Sequence, residues 1–92
     1  MDRELLELAA KACGLEEAKM RIEFNQWNPI EDDGDALRLA VHLNMNLDVV
    51  DASSGAQVLH VAWCSEPHYD DPLAATRRAI TRAAAEIGRS MK

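Results

Sequence analysis

In Leu47-Asp48-Val49-Val50-Asp51-Ala52-Ser53-Ser54-Gly55-Ala56-Gln57-Val58-Leu59-His60-Val61-Ala62-Trp63-Cys64, two β-branched, apolar runs flank a short segment of small and polar residues. The flanking runs, 47–51 and 57–64, have strand composition, and Ala52-Ser53-Ser54-Gly55-Ala56 has turn chemistry, which predicts an antiparallel hairpin. The second run is apolar on both parities, as expected of a central strand covered on each face rather than one with a wet side.

Working outward, Ser65-Glu66-Pro67-His68-Tyr69-Asp70 reads as a loop, and Asp71-Pro72 supplies an N-cap followed by proline at the first helical position. The helix that follows, 73–91, is the clearest element in the chain: Leu73, Thr76, Ile80, Ala84, Ile87 and Met91 form one stripe. Arg78, Arg82 and Arg89 fall on another face, within about 40° of one another at 100° per residue. Upstream, Ala36, Leu37, Leu39, Ala40, Val41 and Leu43 predict a helix ending near Asn44, preceded by a loop over Asn25–Asp35. Met20-Arg21-Ile22-Glu23-Phe24 alternates with period two and reads as a short edge strand. Leu5, Leu8, Ala9, Ala12 and Cys13, between Asp2 as cap and Gly14 as a left-handed terminator, predict the first helix. The expected fold is therefore α+β: a small, mostly antiparallel three-stranded sheet flanked by helices on both faces, in the order α-β-α-β-β-α.

Ninety-two residues suit a single domain, 1–92, and with 15 alanines and 4% aromatic residues its core is small and helix-rich. Net charge is -6, distributed as -6 over 1–35, -4 over 36–72 and +4 over 73–92. An acidic body repels polyphosphate and argues against general nucleic-acid binding, while the basic last helix is read as docking on that body. No apolar run approaches the roughly 20 residues of a membrane span. Two cysteines are too few for a disulfide scaffold, and no signal-like segment opens the sequence, so a reduced cytoplasmic setting is expected.

Trp27-Asn28-Pro29-Ile30-Glu31-Asp32-Asp33-Gly34-Asp35-Ala36-Leu37-Arg38-Leu39-Ala40-Val41, together with the alanine-rich motifs at 74–80 and 83–88, resembles the phage ABA sandwich domain, a family of small bacteriophage and prophage proteins. The resemblance runs from the first helix to the last, although the region Lys19 to Gln26 is shorter than in many relatives. It implies a sheet with helices on both faces, and it carries no catalytic residues because the family has no established activity. A phage origin further implies, by analogy of class, an accessory factor that binds host machinery, of the anti-restriction or anti-CRISPR type.

The acids Glu31, Asp32, Asp33 and Asp35 do not form an EF-hand: with Gly34 at the invariant glycine, Pro29 takes the first ligand position and Ala40 the bidentate-glutamate position. They read as a helix N-terminus with surplus acid, Asp33 or Asp35 capping and the others gaining from the helix dipole or serving a partner. Trp27 reads as a core anchor which, if exposed, would be an interface hot spot. The expected function is protein binding through Trp27, Glu31, Asp32, Asp33, Asp35, Glu66 and Asp70, with Arg78 and Arg82 as the basic counterpart; no cofactor, metal or catalytic residue is expected. Two rivals stand beside it: a self-associating module built on the alanine-rich last helix, and a metal- or thiol-dependent hydrolase using His60, Cys64 and His68.

Overall fold

The computed structural model describes residues 2–14, 27–49, 53–58, 62–68 and 71–91. Three helices and a three-stranded antiparallel sheet follow one another as α1 (Asp2–Cys13), α2 (Asp33–His42), β1 (Asn46–Val49), β2 (Ser53–Val58), β3 (Ala62–Pro67) and α3 (Pro72–Ser90). The α+β class and the antiparallel sheet are as expected. The order among the described residues is α-α-β-β-β-α, and the strand expected at 20–24 lies outside them.

The helix termini follow local chemistry. Asp32 caps α2 by accepting the Asp35 N–H at 2.8 Å, so the helix starts three residues before Ala36. Asn44, at φ 54°, turns the chain out of α2 in the left-handed region, and Gly14, at φ 68°, does the same after α1. Asp71 caps α3 through the Ala74 N–H at 3.0 Å, with Pro72 in the first turn.

The sheet is a meander, β1-β2-β3, and it corrects the central reading of 47–64. Val58 pairs with Ala62 and Gln57 with Trp63, so the run 57–64 is two strands joined by a reversal, not one central strand. The segment assigned to a turn is instead β2, with Leu47 opposite Ala56 and Val49 opposite Ser54. Small residues made that segment look like a turn, but a close helix-on-sheet contact needs them as well: Ser54 and Ala56 are completely buried where α3 packs on β2.

Helix α3 packs on β2 and β3, while α1 and α2 both pack against α3. The described helices therefore gather on one face of the sheet instead of dividing between two. Alanines at 9, 10, 79, 83 and 84 fill much of the core and let the helices approach closely. A close approach of this kind is at Gly88, where an added Cβ would lie 1.9 Å from the Leu8 carbonyl oxygen.

Candidate functional site: an apolar corner beside an acidic loop

The loop leading into α2 is built inward. Trp27, Pro29 and Ile30 are buried, and the Asn28 Oδ1 accepts the Ile30 and Glu31 N–H groups at 3.0 and 3.2 Å. Asp35 is buried; its Oδ2 accepts the Asn28 N–H at 2.9 Å and its Oδ1 takes Arg38 Nη2 at 2.8 Å. From α3, Arg77 donates through Nε to the Ile30 carbonyl at 2.8 Å and through Nη1 to Asp33 at 2.6 Å, fastening loop to helix.

These contacts redistribute the expected partner residues. Trp27, 6% exposed, is a core anchor and offers no surface to a partner. Asp35 is spent inside the loop, Asp32 caps α2 and Asp33 holds Arg77, yet Glu31, Asp32 and Asp33 still line an exposed acidic edge. Glu66 is largely covered and pairs with Arg82 at 2.7 Å, a bond that raises the Arg82 pKa and keeps the guanidinium charged. Arg78 is exposed and makes no ion pair with another described residue, whereas Arg89 pairs with Glu86. Asp70 lies outside the described residues.

The His60, Cys64 and His68 set falls only partly within the described residues. His60 lies outside the described residues, and Cys64 is buried, its thiol pKa pushed up by desolvation against a lowering influence from Arg82, with Glu86 and Glu66 adding to the rise. His68 instead meets Ser54: Nε2 lies 2.7 Å from Oγ, with both residues buried. Counting protons gives this pair a direction. Thr76 Oγ1 donates its single proton to the Pro72 carbonyl at 2.8 Å, so Ser54 Oγ donates to Thr76 at 2.8 Å and accepts from His68 Nε2–H. A catalytic histidine would accept from the serine, the opposite sense. Ser54 has no solvent exposure, so the chain of bonds is a tie between β2, the end of β3 and the start of α3. Among the described residues, no group of three His, Cys, Asp or Glu side chains is placed to hold a metal ion.

An apolar corner is also left open to solvent. Because α3 covers β2 and β3, the α3-facing side chains of β1 are left uncovered: Leu47 is 41% and Val49 58% exposed. Across from them, α2 presents Leu37, 60% exposed, with Val41 one turn further on, and α3 contributes exposed Leu73. Leu37, Leu47, Leu73 and Ile80 line a groove of about 240 Å³ with Asp33 and Arg77 at its rim. Sequence reasoning missed this corner by reading every apolar position of α2 as core. The signal was present: at 100° per residue Ala36, Leu39, Ala40 and Leu43 share one stripe of about 100°, and Leu37 and Val41 fall outside it. A second, larger hollow of about 350 Å³ on α1 is bounded mainly by the charged side chains of Glu4, Glu7 and Lys11.

No helix among the described residues is long and apolar enough to cross a membrane. No protein-family model matches the chain, and no curated protein or solved structure shows significant similarity to it.

Proposed function

We propose that this chain is a protein-binding accessory factor whose docking site is the apolar groove between α2, β1 and α3, with the acidic edge Glu31, Asp32 and Asp33 beside it. The observation that carries this reading is the exposure of three leucines from three different elements around one groove. Isolated exposed leucines are ordinary, but converging ones form the kind of patch that soluble proteins use for partners. The acidic edge suits a partner with basic residues around an apolar contact, and it would steer such a partner inward from a distance.

The resemblance of 27–41 and 74–88 to phage ABA sandwich proteins supports a phage-encoded factor acting in the cytoplasm of a bacterial host, with a host protein as target and inhibition of a defence complex as the outcome. The hydrolase reading draws no support from the buried histidine, whose bond to Ser54 runs in the non-catalytic sense.

The test is affinity capture from bacterial host lysate with the wild-type chain and with Leu37→Glu. One host protein retained at fixed stoichiometry by the wild type, and lost with Leu37→Glu, is the expected result. Capture unaffected by Leu37→Glu moves the site elsewhere, and the absence of any stoichiometric host protein counts against the reading itself.

A further inference from the structure

Strand β1 stands at the end of the strand order, and all four of its residues are exposed. Among the described residues no strand pairs with its outer edge, and the exposure of all four residues leaves that edge within reach of a partner. The two parities of β1 differ in chemistry. Leu47 and Val49 lie opposite Ala56 and Ser54, on the face that α3 covers further in, while Asn46 and Asp48 lie opposite Gln57 and Gly55 on the other face. Leu37 of α2 lines the same groove as Leu47, so the open edge is bordered by an apolar helix face on one side and a carboxylate on the other.

We infer that the edge of β1 accepts an extended segment of the partner protein, alternating apolar and basic residues, which adds to the sheet as a further strand. This rests on the protein-binding reading and names the form of the ligand. Side chains of an added strand point alternately to the two faces. Those on the α3 side meet Leu37, Leu47 and Val49, and those on the far side stand next to Asp48, where a lysine or arginine is the complement. The acids at 31–33 add to the same preference. A second copy of this chain is a poorer occupant, because each copy carries a net charge of -6 and the segment pairing with β1 would itself bring Asp48, an acid, to the edge.

The probe is an acetylated, amidated eight-residue peptide alternating valine and lysine, titrated at about 0.1 M salt into the nitrogen-15-labelled full chain. Expected are saturable one-to-one shifts with slowed amide exchange confined to β1, and binding at least about fivefold weaker for the valine–glutamate counterpart. Asp48→Lys, an exposed change, should reverse that order. Saturation without protection of residues 46–49, or an order of preference unchanged by Asp48→Lys, overturns strand addition. A free chain that sediments as a dimer with 46–49 already protected assigns the edge to a second copy and overturns it too. Host capture that depends on Leu37 while the peptide leaves 46–49 unprotected overturns strand addition alone; capture indifferent to Leu37 overturns the groove reading.

Discussion

Ser54 shows how a single side chain ties three elements together. Its hydroxyl takes the His68 Nε2 proton and passes its own to Thr76, which bonds to the Pro72 carbonyl. Ser54→Ala leaves the His68 donor and the Thr76 acceptor without their partner in a buried place, and should cost about 1–3 kcal/mol in denaturant unfolding. Imidazole nitrogen shifts should show a proton on His68 Nε2 in the wild type. Cys64 acts through burial instead. Its folded pKa is raised, so below the ordinary thiol value of about 8.5 both folded and unfolded thiols stay protonated and this residue gives stability no pH dependence. Above that value the unfolded thiol ionises first, and stability should fall until the folded thiol ionises as well. The difference between wild type and Cys64→Ala, measured by denaturant unfolding from pH 7 to 10, should therefore narrow as pH rises past about 8.5.

At the scale of elements, the contact between α1 and α3 depends on absent side-chain volume. The Leu8 carbonyl sits where a Cβ on residue 88 would be, and both flanking elements are helices whose backbones cannot yield cheaply. Gly88→Ala improves intrinsic helix propensity by about 1 kcal/mol yet should destabilise the protein by about 1–3 kcal/mol, since the overpacked helices must separate. A lowered melting temperature despite unchanged helical circular dichroism of the folded state is the expected result. The same economy of volume explains β2. Ser54 and Ala56 are small because α3 lies directly on their face of that strand, and with Ser53 and Gly55 beside them the composition conceals a strand inside turn chemistry. The helix ends marked by Asn44, Asp71 and Pro72 were easier to read, since these residues act on the backbone within three residues of themselves, whereas four neighbouring acids hid which of them caps α2.

For the whole molecule, the distribution of charge and apolar surface matters more than any one bond. The basic last helix does turn inward in part, through Arg77 to Asp33 and Arg82 to Glu66, which leaves Arg78 as its exposed cation without an ion pair among the described residues. Leu37 belongs to the surface side of this division. Leu37→Glu should change folding stability by no more than about 0.5 kcal/mol, as surface substitutions do, while abolishing partner capture. A drop in stability of core size would place Leu37 in the fold instead of the interface. Association with the captured partner should also slow as salt rises from about 0.05 to 0.3 M, because the acidic edge acts over a Debye length of about 10 Å at 0.1 M.

The sequence by itself determined what depends on near neighbours: the α+β class, three helices, the Asp71 cap of the last of them, strand-forming composition in the middle of the chain, and an acid-rich entry to α2, although the acid that caps α2 is Asp32 and not Asp33 or Asp35. It did not determine the strand boundaries within 47–64, because an apolar run looks the same whether the chain continues straight or reverses, and only the pairing of Val58 with Ala62 distinguishes the two. Nor could it separate acids used inside the fold from acids left for a partner. Asp33 meets Arg77 across 44 residues, and Trp27 is buried in a core cluster that also draws on α1 and α3. The apolar corner exists for the same reason: α3 is only wide enough to cover β2 and β3, so the exposure of Leu47 and Val49 is a consequence of where one helix lands on the sheet.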